Sequence, residues 1–156
     1  MVQVEKLCNL SQIVYNDVIH RFPDWKQFTM AVECDYDPNA SCLWVEIPSP
    51  GSPGYYLGLL ERGDCVEISF GQETPPKIAE QQLICDYGEE NGCEDILNFL
   101  ESVVSERLAI AKEAPSWRNL FLGGSLGFIS TDEIDRERYE EVISWNGTYN
   151  FSSHQK

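Results

Sequence analysis

Long apolar runs are missing from this sequence, and nothing in it approaches the roughly 18 residues that a membrane-spanning helix needs. Histidine is almost absent: the 156 residues hold two, His20 and His154. Histidine-based metal binding and Ser–His or Cys–His catalysis are therefore poorly supplied. Positive charge is also scarce, with 11 Lys and Arg against 26 Asp and Glu, a formal net charge of −15. Such an excess repels phosphate backbones and argues against a nucleic-acid partner. There is no phosphate-cradling glycine loop followed by Lys-Ser/Thr, no dinucleotide fingerprint and no H-E-x-x-H. No internal repeat and no low-complexity segment interrupts the chain.

The start, Met1-Val2-Gln3-Val4-Glu5-Lys6, lacks the basic residues and apolar core of a secretory signal, so a cytoplasmic protein is expected. In that compartment the six cysteines, Cys8, Cys34, Cys42, Cys65, Cys85 and Cys93, stay reduced. Their gaps of 26, 8, 23, 20 and 8 match neither a C-x-x-C pair nor a zinc template. The expectation is buried structural filler, with no metal and no cofactor. Four N-x-S/T sequons, at Asn9, Asn39, Asn146 and Asn150, carry no meaning outside a secretory compartment.

Apolar residues make up 42% and aromatics 12%, enough for a folded core in one domain. The acid excess is spread through the chain: residues 1–85 carry 12 acids and 5 bases, and residues 86–156 carry 14 and 6. That is the field of a folded body, not of an acidic tail.

Leu7, Leu10, Val14, Val18 and Phe22 recur at helical spacing and predict an N-terminal helix that Pro23 ends. The period then shortens to two, in Gln27–Cys34, Leu43–Ile47, Tyr55–Arg62 and Cys65–Phe70, separated by short loops. Alternation of this kind predicts an antiparallel meander with one wet face. Pro75-Pro76 breaks it, and a further strand is expected over Gln82–Cys85. Asn91 and Glu94 resemble a capping box, and Ile96, Leu100, Val103, Val104, Leu108 and Ala111 extend a long central helix. Ser130 with Glu133 repeats the capping signal and predicts a short helix over Asp132–Glu141. Asn146-Gly147 then suggests a type I′ turn between strands Val142–Trp145 and Thr148–Phe151. The predicted fold is α+β: a single domain over 1–151, with an antiparallel sheet of about five or six strands packed against the N-terminal and long central helices, and a frayed tail at 152–156.

Two motifs brush against chemistry. Gly123-Gly124-Ser125-Leu126-Gly127 satisfies G-x-S-x-G, the nucleophile elbow. Phe128-Ile129 and a fresh helix cap follow it, so no helix starts at Ser125, and neither histidine is a convincing base. A small serine hydrolase using Ser125 remains the alternative reading, beside a scaffold or oligomer subunit. Asp35-Tyr36-Asp37-Pro38-Asn39 opens like a calcium loop with Glu46 at its twelfth position. Ala40 replaces the needed glycine, and the flanks alternate as strands, so a hairpin connection is expected.

The remaining signal is surface for recognition. Asp86–Glu101 holds six acids and no base, among them Glu89, Glu90, Glu94 and Asp95. Asp132–Glu141 adds Asp132, Glu133, Asp135, Glu137, Glu140 and Glu141, with the aromatics Tyr139, Trp145 and Tyr149 alongside. Carboxylates beside large aromatics suit an interface in which charge sets the on-rate and a ring supplies the anchor. These thirteen side chains are the expected partner-binding set.

In size, acidity, α+β pattern and the closing stretch Val142-Ile143-Ser144-Trp145-Asn146-Gly147-Thr148-Tyr149, the chain resembles immunity proteins of bacterial polymorphic-toxin and contact-dependent inhibition systems. The resemblance implies a cytoplasmic, non-enzymatic inhibitor that masks the cleft of a basic toxin domain, often a nuclease. It assigns no inhibitory residue.

Overall fold

A computed structural model describes residues 2–73, 77–84, 93–114 and 126–153. Expectations for Cys85, Asp86, Glu89, Glu90, Asn91, Gly123, Gly124, Ser125 and His154 lie outside the described residues. The described residues form two α-helices and two antiparallel sheets, one of five strands and one of four, which is an α+β architecture. The sequence predicted the class but only one sheet. Contacts group the chain into two compact units, the first comprising Met1–Ile47, Leu57–Ser69 and Gln81–Leu100, the second Pro48–Tyr56, Phe70–Glu80 and Glu101–Lys156.

Helix α1 (Asn9–Arg21) follows the predicted stripe, burying Leu10, Ser11, Val14, Tyr15 and Val18. Phe22 lies in a non-helical conformation, as a residue before proline must, and Pro23 opens a 3-10 helix over Pro23–Phe28. Phe22 and Trp25 stack there at 4.0 Å between ring centroids. Strands β1 (Thr29–Glu33), β2 (Ser41–Pro48), β3 (Tyr56–Glu61), β4 (Cys65–Gln72) and β5 (Lys77–Ile84) then lie in chain order across the five-stranded sheet, the predicted meander. β5 begins earlier than the expected Gln82. In β1 and β2 the register sets Thr29 against Val45 and Val32 against Cys42. Leu10, Val14, Val18, Leu43, Val45, Leu59 and Val66 are at most 1% exposed. Each such aliphatic side chain stabilises the fold by about 1.5–3 kcal/mol.

Helix α2 (Glu94–Val104) stops well short of the predicted stripe. Glu106 has φ 58°, the left-handed conformation, and its N–H bonds to the Val103 carbonyl at 3.0 Å. The chain turns there, so Leu108 and Ala111 belong to strand β6 (Leu108–Glu113) and not to a helix. β6 is flanked by β7 (Leu126–Ser130) and β8 (Tyr139–Ile143), and β9 (Phe151–Ser152) closes the order β7-β6-β8-β9. Ala109, Ala111, Tyr139 and Val142 form its buried cluster, covered by Ile129, Ile134 and Phe151.

Two further expectations fail in this unit. The Asp132–Glu141 helix shrinks to a 3-10 turn over Thr131–Glu133, which Ser130 caps through the Asp132 N–H. Asp135 Oδ1 accepts from the Glu137 N–H at 2.8 Å, and this side-chain bond replaces the helical one and releases the chain into β8. Asn146-Gly147 does not form a type I′ turn, which needs positive φ at both residues; only Gly147 has it, at 80°. Residues 144–150 form a longer loop instead, and Ser152 pairs with Glu141, so order continues beyond the expected tail boundary.

Candidate functional site

The expected partner-binding residues divide by burial. In the connection between β7 and β8, Asp132, Glu133, Asp135 and Glu137 are all exposed. Their backbone is fixed by Thr131 N–H to Arg107 O (3.0 Å), Tyr139 N–H to Asp135 O (3.0 Å) and the Asp135 side-chain bond. The two arginines of the segment are exposed and lie across neighbouring rings. Arg136 lies over the Phe151 ring at 5.0 Å, and Arg138 lies over Tyr139 at 5.2 Å while donating to Glu113 at 3.0 Å. None of the four carboxylates forms an ion pair among the described residues, so this knuckle presents four negative charges to water beside the exposed Arg136 and Arg138. Tyr149, at 38% exposure, is also open to solvent.

The other expected members are committed elsewhere. Tyr139 is buried in the β6–β8 cluster, and Trp145 is buried with its ring 5.9 Å from that of Phe70. Neither can anchor a partner from the surface. Glu140 is buried beside Lys112, and Glu141 accepts from Lys77 Nζ at 2.7 and 2.9 Å. Those two charges are neutralised within the fold. Strand alternation turned Tyr139 inward, which a helical reading of 132–141 hides; the seven-residue loop folded Trp145 under itself, which a hairpin reading of 142–151 hides. In the first unit, Glu94 and Asp95 are exposed in the first turn of α2, where the helix dipole favours acids. Glu89, Glu90 and the Ser125 motif lie outside the described residues.

The first unit also contains a polar constellation that the sequence reading passed over as cysteine filler. Glu61, the last residue of β3, is 1% exposed. Its carboxylate accepts from Ser11 Oγ at 2.9 Å, Cys8 Sγ at 3.0 Å and the Tyr36 hydroxyl at 2.6 Å, and from the Gly63 N–H. No Lys or Arg among the described residues pairs with it. Ser11 Oγ also accepts from the Leu43 N–H at 2.7 Å, tying α1 to β2. The Tyr36 hydroxyl lies 3.0 Å from Cys8 Sγ and 3.7 Å from Cys42 Sγ. Cys34 lies near enough to Cys42 and Tyr36 for both to act on its thiol.

Local geometry explains the gathering. With Val32 opposite Cys42, Cys34 projects from the same sheet face two positions along, so the Asp35–Ala40 connection returns the chain with both thiols together. That connection is the expected hairpin link, with Asp37 Oδ1 accepting from the Asn39 N–H at 2.9 Å. Cys8 precedes α1 in an extended conformation and leaves its side chain free of any capping role. Burial pushes the Glu61 carboxyl upward, but the bonds from Cys8, Tyr36, Gly63 and Cys42 outweigh it and hold it below the ordinary carboxylate value. Burial and the same neighbours push the Tyr36 phenol far above its ordinary range. Burial opposes the thiolate at both Cys34 and Cys42; hydrogen bonds from Cys42 and Tyr36 bring Cys34 below its usual value, while Cys42 stays well above. All five described cysteines are unbridged. The hairpin pair Cys34/Cys42 was readable from its spacing of eight within a meander; the arrival of Cys8 and Glu61 depends on tertiary packing.

No protein-family model, curated protein or solved structure matches this chain.

Proposed function

We propose that the protein is a binding domain for a cationic protein, in the manner of an immunity or inhibitor protein that covers the cleft of a basic toxin domain. The observation that carries this reading is the knuckle Asp132, Glu133, Asp135 and Glu137. Its carboxylates are exposed, its backbone is internally bonded and its arginines are turned onto neighbouring rings. A rigid acidic projection on a body of net charge −15 accelerates encounter with a positive surface at low ordering cost. Exposed Tyr149 supplies an aromatic contact of the kind that fixes an encounter complex.

The test is affinity capture from the source cell at low and high salt, with the wild type beside the neutral variant Asp132→Asn/Glu133→Gln/Asp135→Asn/Glu137→Gln. The wild type should retain a basic protein whose association slows by about tenfold or more as the Debye length shrinks from ~10 to ~3 Å. The neutral variant should lose most of that salt sensitivity. Identical captured proteins and identical salt dependence for both would refute the proposal.

A further inference from the structure

A buried carboxylate normally meets a cation, either a side chain or a metal. Glu61 is 1% exposed and finds neither an Arg nor a Lys among the described residues; its surroundings are two thiols, two hydroxyls and a backbone N–H. Cys8 Sγ, Cys42 Sγ and a Glu61 oxygen all lie within 4.8 Å of one another. Tetrahedral coordination with metal–sulfur bonds of ~2.3 Å places sulfur ligands about 3.8 Å apart, so closing this triad onto one ion takes a contraction of at most about 1 Å. The Tyr36 hydroxyl touches all three groups, at 2.6 Å from both Glu61 oxygens, 3.0 Å from Cys8 Sγ and 3.7 Å from Cys42 Sγ. All three groups therefore surround the place where that hydroxyl sits.

The geometry points to a thiolate-rich site for a zinc-class divalent cation, ligated by Cys8, Cys42 and Glu61 with Cys34 as the fourth donor, in which the Tyr36 hydroxyl and the ion compete for one position. Two sulfurs or more with a carboxylate select a borderline-soft tetrahedral ion over magnesium or calcium, which take all-oxygen shells. Cys34 is the fourth donor by its nearness to Cys42 and Tyr36, which both act on its thiol, but its sulfur lies outside the group within 4.8 Å and has to turn in to reach the ion. An access route exists as well: a cleft of about 120 Å³ is lined by Glu33, Asp35, Tyr36, Cys42, Glu61 and Arg62, and it reaches two of the ligands. Tyr36 belongs to the β1–β2 connection and is 49% exposed, so its ring can swing outward while the strands stay paired. The site is independent of the acidic knuckle in the other unit, and each reading stands or falls without the other.

Cobalt(II) serves as the probe, since its thiolate charge-transfer band counts sulfur ligands and its visible bands report tetrahedral geometry. The full chain is reduced, stripped with a chelator, titrated with cobalt(II), then back-titrated with zinc(II). The expected result is a 1:1 thiolate–cobalt spectrum that zinc abolishes. Removing a second-shell partner typically weakens metal binding 10- to 100-fold, so Cys8→Ser and Cys42→Ser should each weaken it by more than about 100-fold. Glu61→Gln should also weaken binding, and Cys65→Ser, on β4, should leave it unchanged. Tyr36→Phe should tighten binding by about tenfold, because the competing hydroxyl bonds are gone. Circular dichroism checks the fold of each variant; Cys8 is only half-buried, so Cys8→Ser carries the test if Cys42→Ser does not fold. Absence of a charge-transfer band, or its survival in Cys8→Ser, overturns the site. Weaker binding in Tyr36→Phe overturns the competition and makes the phenol a ligand.

Discussion

Glu106 offers the most exacting stability test in the molecule. It adopts φ 58°, a conformation that costs a non-glycine residue about 1–2 kcal/mol, and is 9% exposed. Its Oε1 accepts from Ser144 Oγ at 2.6 Å and from the N–H groups of Asn146 and Thr148 at 2.8 and 3.2 Å. Hydrogen bonds to a charged group contribute about 1.5–3 kcal/mol each, and three on one oxygen are far from additive. Water admitted to the half-open loop recovers part of the loss, so Glu106→Ala is expected to cost about 3 kcal/mol. With a urea m-value of about 2 kcal/mol/M, the unfolding midpoint falls by about 1.5 M. Glu106→Gly should be less damaging than Glu106→Ala by about 0.5–1 kcal/mol, because glycine accepts the left-handed conformation.

The pH dependence separates the charge from the geometry. Burial raises the Glu106 carboxyl, but bonds from Ser144, Thr148 and Asn146 outweigh burial and hold it below its ordinary value. A carboxylate depressed in the folded state stabilises fully above its unfolded pKa, about 4.3, and loses that contribution as pH falls through the lower folded value. The stability gap between wild type and Glu106→Gln should therefore be full at pH 7 and close progressively below about pH 5. Urea unfolding followed by tryptophan fluorescence, with Trp145 in the loop, measures it. A Glu106→Ala loss under 0.5 kcal/mol, or a glutamine gap that does not narrow at all between pH 7 and pH 3, would refute the clamp.

Gly147→Ala, at φ 80° and with its added Cβ 2.6 Å from the Gly51 carbonyl oxygen, should lower stability by about 2 kcal/mol in the same urea assay. Phe70→Ala removes a fully buried ring that packs on Tyr55 and Trp145; about 3–5 kcal/mol should be lost, with a shift in tryptophan emission. Ser11→Ala orphans the Leu43 N–H and removes a donor from Glu61, and a fall in melting temperature corresponding to about 2–3 kcal/mol is expected; an unchanged melt would show those bonds to be replaceable.

How far the fold could be read in advance depended on where local pattern and tertiary demand agreed. α1 and the strands of the meander carry their period openly, because each has one wet face and one dry one. The α2–β6 boundary was illegible: no Gly or Pro marks the break, and the turn rests on Glu106 taking a glycine-like conformation that only residues 144–148 reward. The same non-local dependence hid the loop after β8, where Asn146-Gly147 signals a tight turn but the chain spends seven residues wrapping a carboxylate from elsewhere. At the surface, acid spacing alone could not separate Asp132–Glu137, which faces water, from Glu140 and Glu141, which strand β8 brings to Lys112 and Lys77. The thiol cluster was invisible for a related reason: four of its side chains come from separate elements, and only the hairpin pair shares a pattern.

Ser49 and Ser52 donate to the carbonyls of Trp145 and Ser144, partners 96 and 92 residues further along. During synthesis at about 5–20 residues per second, the loop bearing these serines waits roughly 5–20 s before its acceptors exist. Until then the bend rests on its local bonds alone, Ser52 N–H to Ser49 Oγ (3.1 Å), Ser49 N–H to Tyr55 O (2.8 Å) and Tyr55 N–H to Ser52 O (3.0 Å). Completion of this corner is thus scheduled by the ribosome, and a nascent chain stalled before Ser144 should leave Ser49–Tyr55 open to proteases that the finished protein resists.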